Sequence, residues 1–67
     1  MPNITIDGPR IEDLAKKREL VRTVTEAAVR AYGLPKQAMV ILLKENKPEN
    51  VSIGGELLID RAQDRKS

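Results

Sequence analysis

No cysteine and no histidine occurs in these 67 residues, and there is no phenylalanine and no tryptophan. Each absence removes a class of answers. Without cysteine there is no disulfide framework, and without cysteine or histidine there is no Cys/His zinc site. Cysteine nucleophiles, imidazole bases and histidine-served serine triads fall with them. A core cannot be built on large aromatic rings, because Tyr32 is the only aromatic residue. A chain this short is marginal alone, and the usual remedies are disulfides, a structural metal or association. Aliphatic packing against other copies is what remains, so the composition predicts a homo-oligomer. No apolar run approaches the roughly 20 residues of a membrane span, and nothing has the form of a signal peptide, so a cytoplasmic protein with no membrane partner is expected. The formal charge of +2 comes from interspersed acids and bases. That favours small anionic ligands over nucleic acid, for which base-stacking aromatics are also missing.

What is present has a clear order. Asn3-Ile4-Thr5-Ile6-Asp7 alternates polar and apolar residues, the period of a half-buried strand, and Gly8-Pro9 ends it. From Asp13 to Tyr32 the pattern is helical. Leu14, Val21, Val24, Ala28 and Ala31 form a stripe that Leu20 and Ala27 widen. Asp13 is the expected N-cap, and Gly33 followed by Pro35 the stop. Ala38 to Leu43 is continuously apolar, which suits a strand covered on both faces. Lys44 to Asn50 forms a polar loop. Val51-Ser52-Ile53, Gly54-Gly55 and Glu56-Leu57-Leu58-Ile59 form a ribbon around a glycine turn. The fold class is α+β: one βαβ unit with parallel strands and a short C-terminal β-ribbon. Residues 1–59 make a single domain and 60–67 a polar tail, frayed or held by a neighbour. A two-stranded parallel sheet leaves both edges open, so the sheets are expected to be completed by oligomerisation.

Carboxylates, amines and guanidiniums remain as chemical groups, with one unusual candidate. In Met1-Pro2 the second residue is small, the condition for removal of the initiator methionine. Removal would leave Pro2 as a secondary amine with no flexible side chain to order. An α-amino group titrates near pH ~7.7–8.0, and burial or neighbouring cations lower that value. A base poised near neutrality suits proton abstraction next to a carbonyl. Pro2 also directly precedes a strand, so the sheet fixes its direction.

Met-Pro, a short strand, a long helix, Leu34-Pro35, an apolar second strand and Ile53-Gly54-Gly55-Glu56 together resemble the 4-oxalocrotonate tautomerase family. The resemblance covers Pro2 to about Leu57. It implies a βαβ fold that pairs into dimers, commonly three dimers in a hexamer. It also implies a cofactor-independent isomerase whose N-terminal proline shuttles a proton across a small enol, 2-hydroxydienoic or 2-oxo acid, with no metal.

Not every residue of the family's pattern is here. The arginine after the first strand, which binds substrate carboxylate, falls on Glu12 by straight counting from Pro2 and on Arg10 if the loop length differs. The arginine early in the second strand falls on Val40, and a pocket-lining phenylalanine on Val51. Arg61, just past the ribbon, is the substitute cation suggested by its position. The substrate-binding set is therefore Arg10, Arg61 and Val51, around Pro2 as the catalytic base. The cluster Lys16-Lys17-Arg18 with Arg22 and Arg30 is read as a solvated helix face. Glu12–Lys16, Asp13–Lys17 and Glu26–Arg30 are expected as i,i+4 pairs. Glu45, Glu49 and Glu56 could activate water, although nothing in the sequence places them near Pro2. The alternative to an isomerase is a non-catalytic oligomeric interaction module that keeps the fold.

Overall fold

Alternation produces the first element. In the computed structural model, which describes residues 1–61, Asn3–Gly8 forms strand β1. Ile4 and Ile6 point inward and are half-buried, while Asn3, Thr5 and Asp7 are exposed. Helix α1, Leu14–Tyr32, follows after a five-residue loop from Pro9 to Asp13. Its start and stop are the expected ones. The Asp13 side chain accepts from the Ala15 N–H, and Gly33 closes the helix at φ 68°, where a residue with a Cβ is disfavoured. The inward face differs slightly from the expected stripe. Ala28 is buried and Leu20, Val21, Val24, Thr25 and Val29 are half-buried, but Leu14, Ala27 and Ala31 are exposed.

The second strand begins later than its apolar run. Lys36–Ala38 is a 3-10 turn, and β2 runs Val40–Glu45. Pro35 sets this boundary. Its carbonyl accepts from the Ala38 N–H at 2.9 Å, and the Lys36 carbonyl accepts from Met39 at 3.1 Å. Those two N–H groups are therefore not free for a ladder. At the other end the strand continues through Lys44 and Glu45, because β1 still offers Asp7 and Gly8 to pair with them. The two strands are parallel, with Ile4 opposite Ile41 and Ile6 opposite Leu43. Only one face is covered. Ile41 and Leu43 are half-buried, whereas Val40 and Leu42 on the opposite face are exposed, Leu42 by 55%.

Pro48–Asn50 makes a second 3-10 turn before the ribbon of β3, Ser52–Ile53, and β4, Glu56–Leu57. Both loop residues between them have positive φ, 62° at Gly54 and 86° at Gly55. That is the requirement of a two-residue hairpin turn of type I′. The expected second ribbon strand is shorter than predicted: the chain is helical over 58–61, after Leu57. Its carbonyl-to-amide closure is local, with Leu58 N–H donating to the Val51 carbonyl at 2.8 Å. Residues 62–67 of the polar tail lie outside the described residues.

The molecule is elongated, 49 × 25 × 14 Å. Among the described residues Ala28 alone is classed as buried, while Tyr32, Leu34, Val40, Leu42, Ile53 and Leu57 stay exposed. No described helix is long and apolar enough to cross a membrane.

Candidate functional site

Pro2 sits at the head of β1. Its carbonyl accepts a hydrogen bond from the Val40 N–H at 3.1 Å, which ties it to the first residue of β2. Proline has no N–H to lose at this position, so a strand-start proline costs the ladder nothing. Pro2 is half-buried, and Met1 beyond it is 85% exposed. The nitrogen is thus fixed in direction by the sheet while the residue attached to it packs against almost nothing.

Arg10 lies past the opposite end of the same strand, in the loop after Gly8. The six-residue strand β1 separates it from Pro2, on the order of 20 Å at the usual strand rise. Val51 is at Arg10's end. It lines a cavity of about 350 Å³ together with Gly8, Pro9, Asn46, Pro48 and Leu58. Arg61 is exposed in part and pairs with Glu56 at 3.6 Å, within the ribbon region. One chain therefore does not bring Arg10, Val51 and Pro2 together. Two separate groups stand at the two ends of a two-stranded sheet.

The Arg10 end contains a connected polar cluster, and residue spacing did not point to it. Lys17 does not pair with Asp13, whose carboxylate is used as the N-cap. It reaches across to Glu45 at the end of β2, Nζ to Oε2 2.9 Å. The same oxygen accepts from the Ile11 N–H at 2.9 Å. The Lys17 ammonium, then the Ile11 N–H, hold the Glu45 carboxyl below its ordinary value. Asn46 continues the connection: its N–H donates to the Gly8 carbonyl at 2.8 Å and its side-chain amide to Asp7 at 3.1 Å. Glu12–Lys16 and Glu26–Arg30 are not among the ion pairs of the described residues. The signal that could have exposed this cluster is the Ile11 amide, a donor between a proline and a helix start with no local acceptor.

Along α1, Val21, Thr25 and Val29 floor a groove of about 620 Å³ that Arg22, Glu26 and Arg30 flank. The spacing i, i+4, i+8 puts Val21, Thr25 and Val29 on one stripe, and Arg22 and Arg30 on its borders are exposed, in line with their reading as solvated helix residues.

The sequence model of the Tautomerase enzyme family matches residues 2–61, beginning at Pro2 itself. This chain belongs to the tautomerase family. Solved structures agree with it. A DmpI from Archaeoglobus fulgidus is 41% identical, with 88% of this chain and 100% of that chain covered and a TM-score of 0.78. A 4-oxalocrotonate tautomerase isozyme from Methylibium petroleiphilum is 27% identical over 94% of this chain and 98% of its own, TM-score 0.85. A heterohexamer 4-oxalocrotonate tautomerase from Chloroflexus aurantiacus J-10-fl shares the fold at 23% identity, covering 90% of this chain and 97% of its own, TM-score 0.78. No curated protein matched the sequence.

Proposed function

We propose that the protein is a cofactor-independent tautomerase of small anionic enols, with Pro2, freed of Met1, as the proton-transferring base. The observation that carries this reading is the anchoring of Pro2 by its own carbonyl at the head of β1, with only exposed Met1 attached to its nitrogen. While Met1 remains, that nitrogen is an amide and holds no basic lone pair. Once Met1 is removed, it is a secondary amine in a position set by the sheet. Its lone pair takes the hydroxyl proton of a 2-hydroxydienoate. The O–H electrons form the carbonyl, the conjugated double bond shifts, and the ammonium returns the proton to a conjugated carbon. A nearby guanidinium stabilises the enolate charge that develops between the two transfers.

The guanidinium in this reading comes from a neighbouring chain. Arg10 is assigned to the substrate carboxylate, with Val51 on the pocket wall and Arg61 as the additional cation. The distance along β1 places Arg10 out of reach of its own Pro2. Sites are therefore built where the head of one strand meets the tail of another. Association is supported independently by the scarcity of buried residues and by the exposed Leu42 face and α1 groove. We assign these surfaces to a dimer building block and a hexamer; the C. aurantiacus relative is a heterohexamer. Val40 and Val51, which stand where the family resemblance has an arginine and a phenylalanine, favour a second reading: a non-catalytic oligomeric module.

The pH–rate profile separates the two. Protein shown by intact mass to lack Met1 should convert a 2-hydroxydienoate to its 2-oxo isomer. The rate should rise with pH through one inflection belonging to the proline nitrogen, since no histidine or cysteine is present to share it. A processed protein that is inert to enols and dienols, or a profile without that inflection, supports the module instead.

A further inference from the structure

We propose that Glu45 is the positioning residue for Arg10: its carboxylate fixes the peptide plane between Arg10 and Ile11 and so aims the guanidinium out of the loop toward a neighbouring chain's proline. The inference rests on the assignment of Arg10 to the substrate anion.

The loop from Pro9 to Asp13 has no hydrogen-bonded strand or helix of its own to hold it. Yet it is tied on both sides of Arg10 by two consecutive residues of β2 and its exit. Before Arg10, the Gly8 carbonyl accepts from Asn46 at 2.8 Å, and Asp7 accepts from the Asn46 amide at 3.1 Å. After Arg10, the Ile11 N–H donates to Glu45 Oε2 at 2.9 Å. That N–H belongs to the same peptide unit as the Arg10 carbonyl, so fixing it fixes ψ of Arg10. Pro9 restricts φ immediately upstream. Among the described residues no ion pair or side-chain hydrogen bond engages the Arg10 guanidinium, which is the group that has to meet a ligand.

Charge explains why a third residue is needed. An unpaired carboxylate at Glu45 would attract the Arg10 guanidinium to itself and occupy it. Lys17 Nζ, 2.9 Å from the same oxygen, neutralises that carboxylate from the helix side. Both side chains remain about a quarter exposed, 26% and 27%. An ion pair so placed adds little to stability. Its effect is to hold Glu45 on the Ile11 amide, while the Arg10 guanidinium acts on the carboxylate only at longer range, as the weakest of the causes that lower it.

The test is a double-mutant cycle on the Met1-free protein, with 2-hydroxypenta-2,4-dienoate as the probe and KM and kcat measured separately. Arg10→Ala should raise KM by roughly tenfold or more. Glu45→Ala should raise KM roughly tenfold and change kcat by less than about threefold, and the double variant should be no worse than Arg10→Ala alone. Glu45→Gln keeps an oxygen for the Ile11 amide and should stay near wild type. Should Glu45→Ala not assemble, Glu45→Asp, whose oxygen is drawn back by one methylene, takes its place in the cycle. If Glu45→Ala raises KM by the same factor with and without Arg10, or if Gln is as damaging as Ala, the positioning role is wrong. If Glu45→Ala leaves KM unchanged while Arg10→Ala raises it, the inference alone falls. If Arg10→Ala leaves KM unchanged, the assignment of Arg10 falls and this inference with it. A wild-type protein inert to the probe removes both along with the tautomerase reading.

Discussion

Pro2 and Arg10 stand at opposite ends of one strand: the Pro2 carbonyl is bonded to Val40 at the start of β2, and Arg10 follows the Gly8 that pairs with Glu45 at its finish. The extended length of β1 sets this separation. Both strands run the same way, so the head of β1 lies at the head of β2, and no bend in a six-residue strand returns Arg10 to it.

Complementation follows from that separation. A variant with a residue added before Pro2 and an Arg10→Ala variant should each be weak. Mixed oligomers, formed by co-refolding the two, should regain activity at those sites that take an intact proline from one chain and an intact arginine from another. Activity in the mixture equal to the sum of the separate variants would place both groups in one chain.

The exposed face of β2 gives a prediction about assembly. Leu42 is 55% exposed in the single chain, so a lysine there costs an isolated molecule little. If other copies cover this face, the same lysine is buried without a partner, at a cost of several kcal/mol. Sedimentation should show wild-type oligomers at micromolar concentration and a smaller species for Leu42→Lys. An unchanged oligomer would mean that the sheet is covered elsewhere.

Acid should weaken the Glu45 connection. The carboxyl is held below its ordinary value in the folded chain by Lys17 and Ile11. Its stabilising contribution is therefore full above the unfolded-state value and is lost as pH falls through the lowered one. Urea midpoints should drop between neutral pH and about pH 3 by more in wild type than in Glu45→Gln, since the other carboxylates are common to both. The difference should be modest and shrink with salt, because the pair is partly exposed. Identical pH dependence in the two proteins would contradict the contact.

The ribbon depends on its turn. A side chain at Gly54, φ 62°, enters the left-handed region at a cost of about 1–2 kcal/mol. Gly54→Ala should lower the melting temperature and Gly54→Asn should lower it less, since asparagine tolerates that conformation. Equal melting for Gly and Ala would show that the turn relaxes at no cost.

The parts of the fold that depend on neighbouring residues were legible in the sequence. The alternation of Ile4 and Ile6, the Asp13 cap, the Gly33 stop and the Gly54-Gly55 turn are each decided within a few positions. The start of β2 was not, because hydrophobicity runs from Ala38 while Pro35 and Lys36 take up the next amides in a turn. The partner of Lys17 is hidden for a related reason. Sequence spacing favours Asp13 as its partner, but Asp13 caps the helix and Glu45, 28 positions away, is free to receive the ammonium. For the candidate site, the place of Pro2 before β1 and of Arg10 after it was legible from the strand between them, whereas the Glu45 bond to Ile11 depends on a contact 34 positions apart that no local pattern encodes.

The central claim is that the Pro2 nitrogen is the base, and the most direct measurement compares tautomerisation of one 2-hydroxydienoate by two forms of the protein. One form lacks Met1, verified by intact mass; the other carries a residue before Pro2 that turns its nitrogen into an amide and leaves every side chain in place. Both should assemble alike. The free-proline form should be faster by the general-base contribution, roughly 10²–10⁴-fold. Equal rates from the two forms would contradict the mechanism and leave the non-catalytic module as the reading of this fold.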